Sequence, residues 1–257
     1  MNYKRKYIKY KSKYVNLKHK GGWAEEPSDV IIKFVFEEGQ NVMSKNQNCN
    51  TLITQNAGIE SFQIKPGGLN GKFYLKLKSI GILDHINQEL KSKENNQKNV
   101  IVNFDLNNNY ADAMIYSVGP NLTEKTKNSP IDNIKDLEED LIKIQNIYSD
   151  AISKIINHKL DDDRKIECFR LGLICVSIYE PNFTSTNLFD QYLNVLISYV
   201  SRGILNEIFE NNNYLRTIII QSIYKDKFEK ILMYYGATKE NNEWYISKRQ
   251  YDLHVNQ

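Results

Sequence analysis

Two stretches of this chain, Ile166–Tyr179 and Leu215–Ile220, are apolar almost without interruption. A strand with one wet face alternates polar and apolar residues; a strand that does not alternate has both faces covered, as in the middle of a parallel or mixed sheet. The rest of the chain holds material for the covers. Val30–Phe36, Thr51–Gln55, Val100–Phe104 and Ala113–Val118 read as further strands, separated by turn residues. Phe73–Leu90, Ile134–Leu160, Leu188–Ile208 and Tyr224–Tyr235 read as helices. In the second of these, Leu137, Leu141, Ile144, Ile147, Tyr148, Ala151 and Ile155 share one face. The segment 121–132 reads as a polar loop, and residues 237–257 as a peripheral strand (Trp244-Tyr245-Ile246) with a polar tail. Strands alternating with helices predict an α/β fold of three layers, α/β/α, around a mixed sheet. Ligands of such sheets bind beyond the carboxyl ends of the strands.

One loop stands where such a ligand would be. Lys65-Pro66-Gly67-Gly68-Leu69-Asn70-Gly71 follows a strand and opens a helix. Glycines let the backbone approach an anion closely, and a helix start turns several N–H groups and a partial positive charge toward it. A plain surface turn has the same composition, so the loop alone does not establish phosphate binding.

Charge narrows the classes of partner. The net charge is +3, yet residues 1–20 carry eight Lys/Arg and no acid, which leaves 26 basic against 31 acidic residues in the body. A mildly acidic body does not predict general nucleic-acid binding. The three cysteines (Cys49, Cys168, Cys175) suggest no paired framework and fit a reduced, intracellular protein, with Cys168 and Cys175 as small core residues. The histidines have no ligand spacing, so no metal and no cofactor is expected. No run reaches the length of a membrane span.

The arm has its own pattern. Tyr3, Tyr7, Tyr10, Tyr14 and Leu17 fall on one helical stripe with Lys/Arg on the other faces, and Gly21-Gly22 ends it. Residues 7–22 resemble the leader on otherwise unrelated proteins of mimivirus-like giant viruses. That resemblance implies a viral source, a location in host cytoplasm or viral factory or in the virion, a virion partner bound through residues 1–22, and cleavage before Trp23. Docking of the helix on its own body is the structural alternative.

The order of motifs in the body resembles the macro domain, the ADP-ribose-binding α/β/α module. Glu38-Gly39-Gln40-Asn41-Val42 stands where that family has Gly-Asp-Ile-Thr, and Ile53-Thr54-Gln55-Asn56-Ala57-Gly58 where it has Ile-Val-Asn-Ala-Ala-Asn. Pro66–Phe73 is similar to Gly-Gly-Gly-Val-Asp-Gly-Ala-Ile, and Met114–Pro120 to Val-Ile-His-Thr-Val-Gly-Pro. Ser177-Ile178-Tyr179-Glu180-Pro181 resembles Gly-Ile-Tyr-Gly-Phe-Pro with one residue fewer, and Leu215–Phe228 the last strand and closing helix. The implied organisation is a leader (1–22), a linker (23–29), a macro-like domain (30–236) and a C-terminal extension (237–257).

The resemblance implies that Gly67, Gly68, Leu69 and Gly71 line a diphosphate and distal ribose, faced by Ser177, Ile178 and Tyr179. Gln40, Ser222 and Tyr224 would serve the adenine end, and Asn56 lies beside the pocket. Departures accompany the matches. Gln40 replaces the acid that reads the adenine amino group, Gly58 replaces the closing Asn, and Asn70 replaces the acid of hydrolytic members. An amide cannot serve as general base. Glu180 stands where a glycine would face the diphosphate. Asn56 and Asn70, with Glu180 nearby, are the remaining catalytic candidates. The expectation is binding of ADP-ribose or ADP-ribosylated protein with weak or absent hydrolysis. A virion or factory structural protein on a ligand-free scaffold, and an active ADP-ribosyl hydrolase, are the alternatives.

Overall fold

The computed structural model describes residues 29–37, 42–59, 61–93, 97–106, 109–176, 180–211, 214–220 and 224–255. The leader 1–22, and Gln40, Ser177, Ile178, Tyr179 and Ser222, lie outside the described residues.

Eight strands form one sheet: β1 (Ile31–Phe36), β2 (Leu52–Ile59), β3 (Asn99–Asn103), β4 (Ala113–Gly119), β5 (Cys168–Leu171), β6 (Thr217–Ile220), β7 (Thr238–Glu240) and β8 (Glu243–Ser247). Their order is β3-β4-β2-β5-β6-β1-β8-β7. The run β4-β2-β5-β6-β1 is parallel throughout, while β3, β8 and β7 pair antiparallel at the flanks. Five strands therefore end on the same edge, with Phe36, Ile220 and Leu171 level in register.

The helices are α1 (Gly68–Ser79), α2 (Leu83–Ser92), a short α3 (Leu122–Lys125), α4 (Glu138–Asn157) after a 3-10 turn at Ile134–Leu137, α5 (Thr186–Asn211), α6 (Lys225–Tyr234) and α7 (Lys248–Val255). Two cores separate the layers. On one face α1 and α2 bury Phe73, Leu77, Ile86 and Leu90 against Val100, Val102, Met114 and Tyr116. On the other α4 and α5 cover Ile53, Ala113, Ile115, Phe169 and Ile218, and the same core takes in Phe228 and Leu232 of α6. All seven stripe residues read from the sequence of α4 and its leading turn are buried.

Several expectations need correction. The single helix Phe73–Leu90 is two: the chain breaks at Ile80–Ile82, where Gly81 takes φ +80° and the amide of Ile82 returns to the Leu77 carbonyl (3.1 Å). Strand β2 runs on through Asn56, Ala57 and Gly58 because it stays paired with β4 as far as Ile59 and Gly119. Of the apolar run 166–179, the described residues 166–176 contain four strand residues, Cys168–Leu171. After Leu171, the Gly172 amide donates to Oε1 of Gln55 (3.1 Å), and Oη of Tyr148 holds Gly172 O (2.5 Å) and the Ile174 amide (2.9 Å). Ile174 and Cys175 are apolar because they are buried as loop, not because they are strand. The loop 121–132 contains α3, capped by the Asn121 side chain on the Glu124 amide (3.1 Å).

The polar tail is likewise structured. Asn241 (φ 49°) and Asn242 (φ 66°) make a tight hairpin turn of the kind that requires two positive φ values. Strand β8 then joins β1, and Trp244, Ile246 and Tyr251 enter the core. The cysteines also differ from expectation: Cys49 and Cys168 form a disulfide, with Cα atoms 6.0 Å apart. They lie 119 residues apart in sequence but meet because the segment before β2 runs beside the start of β5. Cys175 is free and buried, and burial pushes its thiol pKa up. Among the described residues no helix is long and apolar enough to cross a membrane.

Candidate functional site

Neighbouring strands β2 and β5 send the chain to opposite faces of the sheet, β2 into α1 and β5 into α5. Connections that diverge in this way leave a crevice at the carboxyl ends of the two strands, where ligands of open α/β sheets bind. The glycine loop lies in it. Gly67 (φ 122°, ψ 138°) caps α1 with no side chain, and Gly68 follows at φ 50°. Both lie in the left-handed range that favours glycine. The first turn of α1 contains no acid, and Lys65 and Lys72 are exposed beside it. The positive end of the helix is therefore not compensated by the helix's own side chains.

The loop is braced from across the crevice. A Cβ at Gly172 would fall 2.4 Å from Cδ2 of Leu69, so the end of β5 and the first turn of α1 touch through a position with room only for glycine or a displaced leucine. Gly172 is in turn fixed by Gln55, whose Nε2 donates to Ser117 Oγ (3.0 Å). Ser117 donates to Asn99 Oδ1 (2.6 Å), and Asn99 donates to Asp150 of α4 (2.7 Å). This polar chain crosses three strands beneath the crevice. The apolar reading of 166–179 hid Gly172, and nothing in the local sequence marks Gln55 as its partner.

Asn56 and Asn70 come together. Both are buried, at 0% and 6% exposure, and Nδ2 of Asn56 donates to Oδ1 of Asn70 (3.1 Å). Oδ1 of Asn56 accepts from the Ala57 amide (2.8 Å). Nδ2 of Asn70 donates to Gln63 O (3.2 Å) and to Tyr116 Oη (3.0 Å), and Tyr116 donates to Gln63 O (2.7 Å). Gly58 makes space for that tyrosine: a Cβ there would sit 2.1 Å from Tyr116 Oη. The two amides thus hold the root of the loop, and among the described residues every buried side-chain nitrogen and oxygen has a partner. Gly71 also serves the helix, since its amide closes the first turn on Gly67 O (2.6 Å).

The other end of the edge, past β6 and β1, is aromatic. Phe36 meets Phe228 edge-on (6.4 Å between centroids), Lys225 Nζ lies 5.6 Å over the Phe36 ring, and Tyr224 is half-buried at the start of α6. Burial pushes the Tyr224 hydroxyl pKa up, and the Glu180 carboxylate adds to the shift. The Glu180 backbone carbonyl accepts from Thr123 Oγ1 (2.7 Å). Among the described residues no group of three or more His, Cys, Asp or Glu could hold a metal ion.

No protein-family model and no curated protein matches the chain by sequence. Solved structures do match it. The macrodomain of Oceanobacillus iheyensis with MES bound superposes at TM-score 0.51 with 16% identity, over 80% of this chain and 97% of that one. The fold is that of a macrodomain. The same bacterial macrodomain with ADP gives TM-score 0.50 and 16% identity, over 81% and 97%. A point mutant of it with ADPR gives 0.50 and 17%, over 82% and 96%. The superpositions span nearly the whole of those chains, and the described α1 loop occupies the carboxyl edge of this sheet.

Proposed function

We propose that this protein binds ADP-ribose, free or attached to a protein, with weak or no hydrolysis. The carrying observation is the start of α1: two glycines with positive φ, no capping side chain and no acid, opening on the crevice between β2 and β5. The diphosphate is assigned to that helix start, where backbone amides and the helix dipole favour an anion. The adenine is assigned to the β1/β6 end, where Phe36 and Tyr224 offer aromatic faces. The bacterial macrodomain structures with ADP and ADPR support the ligand class. Weak hydrolysis follows from the neutral amides: the Asn70 carboxamide is too weak a base to accept a proton, and its side chain is engaged on three sides.

Calorimetry with ADP-ribose and AMP on the full chain tests the reading. ADP-ribose should bind and AMP bind more weakly, and Gly68→Glu should abolish binding by placing a carboxylate at the anion position. Absence of heat at millimolar ADP-ribose would reject the proposal and leave a scaffold without ligand.

A further inference from the structure

A buried arginine ties the residue that follows β1 to the segment that leads toward β2. Arg170 lies in β5 at 2% exposure. Its Nε and Nη2 reach Glu37 Oε2 at 3.2 and 3.1 Å, immediately after β1. Its Nη1 donates to Ser44 O (2.7 Å) and, more weakly, to Val42 O (3.4 Å). Asn46 Nδ2 donates to the other oxygen of Glu37, and Thr54 Oγ1 to Val42 O (2.7 Å). One guanidinium therefore ties residues 37, 42 and 44, the two flanks of segment 38–41, to a central strand.

A core position does not need a charge. Desolvating a guanidinium costs several kcal/mol, and apolar residues of similar volume are often as stable or more so. What arginine offers is a rigid planar fork that fixes several acceptors relative to one another, which the point charge of lysine does not. Of these acceptors Glu37 belongs to the crevice rim at the β1 end, while Ser44 lies toward the opposite edge, in the 43–45 segment that pairs with 109–111 ahead of β4. Glu37 directly follows Phe36, at the aromatic end of the edge, and the anion-binding loop of α1 is not among the groups Arg170 touches.

We propose that Arg170 is a positioning residue for the base end of the ligand, not for its phosphates. The assignment rests on the ADP-ribose reading above. It makes Arg170 and Glu37 determinants of which nucleotide the crevice prefers, although neither needs to touch it.

The test compares wild type, Arg170→Lys and the milder Glu37→Gln, titrated with ADP-ribose and with ribose 5-phosphate, which has no base. Amide exchange over residues 42–49 is measured on the same samples without ligand. Arg170→Lys should weaken ADP-ribose about tenfold or more, the effect of roughly one charge-assisted hydrogen bond, and leave ribose 5-phosphate within about twofold. Glu37→Gln should do the same to a smaller extent, and exchange at 42–49 should speed up in both variants. Equal weakening of both ligands, or of neither, overturns the proposal. If wild type binds neither ligand, the ADP-ribose reading fails by itself. The hold of Arg170 on segment 42–44 is then decided by exchange alone, and unchanged protection at 42–49 overturns it.

Discussion

Placing an acid at position 70 is the sharpest test of how this site is held together. In the hydrolytic pattern the loop carries Asp, so Asn70→Asp looks like a repair. The hydrogen bonds say otherwise. Asn70 Nδ2 supplies protons to both Gln63 O (3.2 Å) and Tyr116 Oη (3.0 Å). A carboxylate supplies none, and the single hydroxyl proton of Tyr116 must then serve both Gln63 O and the new oxygen. One acceptor in a buried cluster loses its donor, which costs about 1–3 kcal/mol. Burial also raises the carboxyl pKa above its ordinary value of about 3.9, and each unit costs about 1.4 kcal/mol once the group is ionised. The expected deficit is about 2–4 kcal/mol at pH 8, within a total of roughly 5–15 kcal/mol, so the variant folds but is measurably weaker. The pH dependence has a definite sign. Well below the ordinary value of about 3.9, the carboxyl is protonated in folded and unfolded chains alike and can again donate, so the deficit is small. It grows as pH rises from that value to the raised folded pKa and is constant above it. Urea unfolding of both proteins at pH 5 and pH 8 measures it. An Asn70→Asp protein as stable as wild type at pH 8, or one that gains ADP-ribosyl hydrolase activity, would refute this account of the loop.

Two further outcomes follow from geometry. Helices α4 and α5 cross so closely at Gly203 that a Cβ there would stand 2.5 Å from the backbone oxygen of Gln145. A carbonyl in a helix cannot swing aside, so Gly203→Ala should cost about 1–3 kcal/mol in thermal or urea unfolding, and an unchanged midpoint would contradict the packing. His158 has its pKa lowered by burial first and by the Lys93 charge second, with Nε2 2.7 Å from Asn103 Oδ1. Its contribution should be complete above the unfolded value of about 6.5 and be lost as pH falls from there through the lower folded pKa. Stability curves of wild type and His158→Gln should therefore diverge above that range and converge below it; parallel curves across pH 5–7 would refute the assignment.

The architecture was legible wherever burial leaves a periodic signature. The stripe from Leu137 to Ile155 could be read because α4 packs on the sheet with one face only. The βα order could be read because each strand has its own turn residues. Legibility failed where apolar residues serve loops, as in Ile174 and Cys175, whose run looked like continued strand but is held by Tyr148, 26 residues away from one of its two partners. It failed again where pairing is long-range. Cys49 and Cys168 carry no spacing signal across 119 residues, and strand β8 finds β1 across most of the chain. The hairpin at Asn241-Asn242 did have a local signal, since Asn tolerates positive φ, and the strand that follows was read at Trp244–Ile246, but polar composition concealed the strand that precedes it, Thr238–Glu240.

The candidate site divides along the same line. Its glycines were readable because backbone conformation makes a demand that only a few residue types meet. Its amides were not, because Asn56 and Asn70 look the same in sequence whether they face a ligand or each other. In the structure they face each other, and Gly58 makes room for the tyrosine that completes their cluster. The amide at position 70 is therefore tied to Tyr116 and Gly58. Together they make a neutral, internally bonded support beneath the N–H groups of a helix start. On the proposed reading, diphosphate affinity would depend on backbone and dipole and would need no carboxylate at this position.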